Sequence, residues 1–171
     1  ARYWGLSSDS VITAWLALSP AGVGNGCMRV MPGTHRGDVM DHEDRYDANN
    51  LLTRGQEISA PLDEANARHM PLRAGEMSIH NYRLAHASDA NNGPDRRIGI
   101  SMHFLPPDTV QIIGGWDSAA LVRGQDTFGK FELPPVPGGD LDVDAVAFHG
   151  RATKAIRDVL YADAAENTQK L

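Results

Sequence analysis

Only one cysteine, Cys27, occurs in the 171 residues. A disulfide framework within the chain is therefore excluded, and a lone thiol suits a reducing, cytoplasmic setting. There is no basic run: 16 Lys and Arg stand against 22 Asp and Glu, a net charge of −6, which argues against nucleic acid as the partner. No stretch approaches the roughly 18 apolar residues of a membrane-spanning helix, and the start lacks the pattern of a signal peptide. Internal repeats are absent. An initiator Met is missing too: the chain opens on Ala1, strand-like sequence follows soon after, and the start reads as a cut end. What is present, 42% hydrophobic and 22% charged, is ordinary for a globular chain. Such a length buries roughly two-thirds of the surface that the unfolded chain exposes.

Residues 10–18 form a nearly continuous apolar run, the pattern of a strand covered on both faces. Pro20 to Gly26 follows and ends in Asn25-Gly26, a hairpin turn signal. Cys27 to Met31 reads as the return strand, so an antiparallel hairpin is expected at the start. Residues 35–69 are polar and aperiodic, a surface excursion of the kind found near sites, with one helical turn around Leu62 to Ala67. Strand character returns at Met77 to His80 and Leu84 to Ser88, and Asp89 to Asp95 is dense in turn formers. Arg97 to Leu105 then alternates, with Ile98, Ile100, Met102 and Phe104 on one face and Arg97, Gly99, Ser101 and His103 on the other. Such a strand suits a barrel whose lumen holds a polar ligand. Residues 112–139 are Gly- and Pro-rich loop. Asp142 can cap a final helix in which Ala145, Phe148, Ala152, Ile156, Val159 and Leu160 recur at helical spacing, and the tail past Ala162 is expected to fray. The pattern predicts an all-β sandwich or barrel with an added helix. We read it as a single domain over 1–171, with a core at about 3–107, a loop-rich extension over 108–141 and a helix at about 142–162.

His86 and Ser88 share a strand face, and Arg97 follows His86 after ten intervening residues, at the start of the next strand. If 84–88 pairs with the strand from Arg97 across the 89–95 turn, an imidazole and a guanidinium lie within one ligand's length. A neutral imidazole binds a metal, and a guanidinium fork binds a carboxylate in bidentate fashion. One dicarboxylate could chelate a metal at one end and pair with Arg97 at the other. The plainer reading, a hydrogen-bonded sheet histidine beside a strand-edge ion pair, fits the spacing as well. Among the other histidines, His35 reads as bonded to nearby backbone, and His69 and His149 as solvated. His80 reads as a residue lining the mouth or a plain sheet residue, and His103 shares the polar face with Arg97.

The segments YWGL, VITAWLALSP, NGCMRVMPGTH and LRAGEMSIHNYRLAHASDANNGPDRRIGISMHF, from about Tyr3 to Pro107, resemble the phytanoyl-CoA dioxygenase family of iron(II)- and 2-oxoglutarate-dependent oxygenases. The resemblance implies a double-stranded β-helix, a cupin-like jelly roll whose mouth holds iron in a two-His-one-carboxylate triad. It assigns His86 to the metal, Arg97 to the distal carboxylate of 2-oxoglutarate, and Trp15 and Ser88 to the cosubstrate pocket. The family's His-x-Asp ligands precede a Tyr-Trp-like pair. With Tyr3-Trp4 as that pair, both ligands are expected just before Ala1, in a fold truncated at its N-terminus. Within the chain, His42 and Asp44 carry the right letters, but only 44 residues before His86 and after the first two strands rather than before them. The implied function is hydroxylation of an aliphatic carbon of a small-molecule substrate, with Fe(II) and 2-oxoglutarate. The alternatives are a halogenase on the same scaffold and a jelly-roll binding protein without metal. Neither a nucleic-acid nor a membrane partner is expected. A piece lacking its first strands is expected to be inactive, without iron, and to self-associate through open sheet edges.

Overall fold

The structure is a computed structural model and describes residues 2–46 and 54–164. Residues 47–53 of the polar excursion, and the tail from 165 onward where fraying is expected, lie outside the described residues. The chain divides into two compact units, one of Asp9–Arg45 with Gln56–Leu105, the other of Ala1–Ser8, Tyr46–Gly55 and Pro106–Leu171.

The first unit holds the strands β1 (Ile12–Ala17), β2 (Met28–Val30), β3 (His42–Asp44), β4 (Gln56–Ile58), β5 (Arg68–His69), β6 (Met77–Asn81), β7 (His86–Ser88) and β8 (Gly99–Phe104). They form a sheet in the order β6-β1-β8, a second in the order β5-β2-β7, and a β3-β4 ribbon, all antiparallel. From β5 onward the chain alternates between the two three-stranded sheets. That alternation is the double-stranded β-helix, and the fold is an all-β jelly roll.

The registers correct two expected pairings. β1 does not pair with β2, and β7 does not pair with the strand from Arg97. β1 is the central strand of its sheet, with β6 on one edge and β8 on the other, while β2 is flanked by β5 and β7. Each apparent hairpin turn is instead a crossing between sheets. Asn25 folds the first into a wide loop, its Oδ1 accepting from Gly22 N at 2.7 Å and its Nδ2 donating to Pro20 O at 2.8 Å. Gly26 takes φ 76°, and a Cβ there would lie 2.4 Å from Asp89 O, so the two crossings abut where only glycine fits. In the second crossing Asn91 supplies the turn, accepting from Gly93 N and donating to Asp95 O.

The alternation of β1, β6 and β8 separates two faces. Thr13, Trp15, Ser78, His80, Gly99, Ser101 and His103 fall on one, in rungs His80–Thr13–His103 and Ser78–Trp15–Ser101. The opposite face carries Ile12, Met77, Ile79, Ile100 and Phe104, all exposed. β1 is therefore covered on its polar side and only partly on its apolar side, unlike the two-sided burial its composition predicts. Small residues explain the difference: Ala14 and Ala17 sink into the sheet, while the large side chains of the apolar face stand clear of it.

In the second unit, Leu6 bridges to Gln111, and α1 (Val143–Leu160) is capped by Asp142, whose carboxylate accepts from Asp144 N and Ala145 N. These backbone donors, with Gly138 N, hold the Asp142 carboxyl below its ordinary range. Trp116 meets Phe148 of α1 edge-on at 6.0 Å, and Arg151 lies over the Trp116 ring. Arg54, 3% exposed, packs over Tyr3 and donates to Leu160 O and Asp163 Oδ1. No described helix is long and apolar enough to cross a membrane.

Candidate active site

The polar face of the β6-β1-β8 sheet and the strand β7 of the other sheet carry groups that meet. Arg97, just before β8, donates from Nη1 to Ser88 Oγ at 3.2 Å, and its guanidinium lies 5.4 Å from the centroid of the Trp15 ring. Stacking on the indole and a hydroxyl contact fix a planar cation in one pose. Gly99 makes that pose possible. A Cβ at this position would come within 2.2 Å of Trp15 Cζ2, so the indole lies flat against bare backbone. Among the described residues no carboxylate pairs with Arg97, which leaves fork donors for an anion.

His86 sits two residues from Ser88 on the same face of β7. Its Nδ1 donates to Leu84 O at 2.7 Å. With that tautomer the Nε2 lone pair is free, the arrangement typical of an imidazole that binds a metal. The His80 ring lies 5.5 Å from it, centroid to centroid, tilted by 57°. On the same rung as His80, Thr13 Oγ1 and His103 Nδ1 are 3.0 Å apart, and His103 Nε2 is 3.4 Å from Ser101 Oγ. Burial pushes the pKa of His80 down, with smaller contributions from His86 and His103, and burial alone does the same for His103. Both rings are held toward the neutral form, so this end of the pocket is polar without being cationic.

Of the residues singled out in the sequence, the structure sets Arg97 against both Trp15 and Ser88, with His86 two residues from Ser88 on the same strand face. His42 and Asp44 lie in the separate β3-β4 ribbon, where His42 Nδ1 contacts Met40 O at 2.7 Å. Among the described residues no group of three or more His, Cys, Asp or Glu side chains could hold a metal ion. The donor set fits the implied cosubstrate at the Arg97 end. It fits iron only through the one imidazole, His86. Thr13 and Ser78 escaped notice in the sequence. Thr13 was hidden inside an apolar run, although its spacing of two from Trp15 puts it on the same strand face.

Residues 1–99 match the family described as Phytanoyl-CoA dioxygenase (PhyH). The peroxisomal phytanoyl-CoA dioxygenase of Bos taurus is 32% identical over 100 residues, 57% of this chain and 29% of that protein. The Homo sapiens enzyme of the same name is 31% identical over 104 residues, 59% and 30% of the two lengths. The chain thus spans under a third of the length of these curated relatives. Among solved structures, the apo form of the non-heme monooxygenase ThoJ superposes with a TM-score of 0.80 at 31% identity, covering 94% of this chain and 57% of that one. With the matched family pattern running through the jelly-roll unit and the Trp15, His86, Ser88 and Arg97 constellation, the chain belongs to the phytanoyl-CoA dioxygenase family.

Proposed function

We propose that the complete protein carrying this chain is an iron(II)- and 2-oxoglutarate-dependent oxygenase that hydroxylates an aliphatic carbon of a small molecule. The observation that carries the reading is the Arg97–Ser88–Trp15 cluster set one strand-step from an imidazole whose Nε2 is free. Arg97 would pair with the distal carboxylate of 2-oxoglutarate, with Ser88 Oγ beside it and the Trp15 indole closing one side of the cosubstrate pocket. His86 would present Nε2 to the metal, its ring held by the Leu84 carbonyl. Iron(II) with 2-oxoglutarate supplies the oxidation, in which one oxygen atom of O₂ enters a C–H bond while the keto acid loses carbon dioxide to become succinate. The protein's part is to hold the cosubstrate in one orientation and to keep the metal end free of added positive charge. The neutral His80 and His103 do the latter, since neither carries a charge to the metal end at neutral pH.

The test uses the complete protein with Fe(II). Formation of succinate and uptake of oxygen are expected to require both 2-oxoglutarate and His86, and His86→Ala is expected to abolish iron binding together with turnover. Iron bound at full stoichiometry by His86→Ala would sink the assignment of the ligand.

A further inference from the structure

The inner face of β6 is the part of the pocket whose polar groups have no use for each other. Ser78 is 4% exposed and His80 9% exposed, and they are neighbours on that face, two residues apart. Ser78 Oγ and His80 Nδ1 are both buried with no hydrogen-bond partner. A buried polar atom without a partner is costly, and native proteins pair such atoms with a neighbour, water or ligand. Here two orphans lie in series on one strand, facing the side on which Trp15, Arg97 and His86 converge.

Their order is informative. Ser78 shares a rung with Trp15, over which Arg97 lies, and His80 shares a rung with Thr13 and stands against the His86 ring. A ligand anchored at Arg97 and reaching toward His86 runs along the strand from Ser78 to His80, about 6.6 Å at the usual rise per residue. Both orphans can donate: a hydroxyl always, an imidazole Nδ1 in one tautomer. A carboxylate is acceptor-only, and an α-keto acid offers a carbonyl oxygen beside one.

We infer that Ser78 and His80 form a hydrogen-bonding wall for the keto-acid end of 2-oxoglutarate, with His80 donating to the carboxylate nearest His86 and Ser78 to the oxygens behind it. This rests on the cosubstrate reading above and extends it from the distal carboxylate to the reacting end. It makes His80 a cosubstrate contact rather than a sheet residue that happens to be histidine.

The test is equilibrium binding to the complete protein loaded anaerobically with Fe(II), comparing 2-oxoglutarate, followed by its charge-transfer absorption with the metal, with butyrate, followed by calorimetry. Butyrate keeps the carboxylate that Arg97 would hold, with its methylenes, and lacks both the keto oxygen and the second carboxylate. His80→Leu is expected to weaken 2-oxoglutarate about tenfold, the usual scale for a lost hydrogen bond to a charged group, and to leave butyrate within about twofold. His80→Gln, which keeps a donor, is expected to recover most of the loss. Ser78→Ala, a smaller perturbation of the fold, is expected to weaken 2-oxoglutarate alone by a few-fold. Equal losses for both ligands in His80→Leu and Ser78→Ala, or none for either, would overturn the inference, the first meaning packing and the second that water satisfies the orphans. Failure of the cosubstrate reading looks different: wild-type protein would not bind 2-oxoglutarate, or Arg97→Ala would bind it as well as wild type.

Discussion

The two ends of the pocket are built on opposite terms. At the Arg97 end the clamp is already assembled: the guanidinium is stacked on Trp15, bonded to Ser88, and accommodated by the missing side chain of Gly99. Toward the His86 end the groups are aimed but unfinished: His80 Nδ1 is orphaned, as is Ser78 Oγ one rung back beside Trp15, and among the described residues no group of three possible metal ligands gathers. The difference separates what a few strands can preorganise by themselves from what needs ligand and metal. A carboxylate clamp can be complete in one sheet and its neighbour. A metal triad draws on several elements at once.

The comparison is broken most severely by removing the clamp. Arg97→Ala in the complete enzyme is expected to raise the 2-oxoglutarate requirement well over tenfold, since deleting one partner of a desolvated charge pair costs on the order of 2–5 kcal/mol. Arg97→Lys should recover only part of it, because an ammonium cannot reproduce the planar fork stacked on indole. Saturation curves for 2-oxoglutarate measure both, and an unchanged requirement in Arg97→Ala would place the distal carboxylate elsewhere.

Gly99 probes the same end through packing. The added methyl of Gly99→Ala would meet Trp15 Cζ2, Cε2 and Cη2, all closer than 3.0 Å, so the indole has to move from under Arg97. Overpacking of this kind costs typically about 1–3 kcal/mol, read from denaturant unfolding, and cosubstrate affinity should fall with it. Because the clash is with the indole's six-membered ring, Trp15→Phe should relieve it. The double variant is expected to be more stable than the sum of the two single losses. Strict additivity would mean that the indole yields freely.

Much of this end was legible in the sequence. The alternation from Arg97 to His103 put the guanidinium and His103 on one face, and the strand–turn–strand spacing put His86 within reach. The pairing was not legible. Asn25-Gly26 and the 89–95 segment carry ordinary hairpin chemistry, and local turn signals do not say whether a chain returns beside its own strand or crosses to a facing sheet. That choice is made by β6 and β8 occupying both edges of β1, contacts 60 or more residues apart in the chain. Arg97 reaches Ser88, two residues from His86, although β7 and β8 do not pair, because a jelly roll brings the two strands face to face instead of edge to edge. The orphaned atoms of Ser78 and His80 were invisible for a related reason. Being without a partner is a property of the whole pocket, and no local pattern encodes it.

The smallest expected effect concerns acid. His103 is held neutral by burial, its pKa below the ordinary value of about 6.5. In the unfolded chain the same ring titrates near that ordinary value. Between the two values the unfolded state therefore binds the proton and the folded state does not, so stability increases with pH across the window. The contribution is fully present above about pH 6.5 and is lost as pH falls toward the depressed folded value. His80 works in the same direction. Substituting His103→Gln keeps an amide able to hydrogen-bond Thr13 Oγ1 but removes the titration. Unfolding free energy measured from pH 7.5 down to 5 should therefore fall less steeply in His103→Gln than in wild type, with the curves converging in slope above about pH 7. Parallel curves throughout would mean that His103 takes up its proton in the folded state as readily as in the unfolded one, and that its contact with Thr13 tolerates a charged ring.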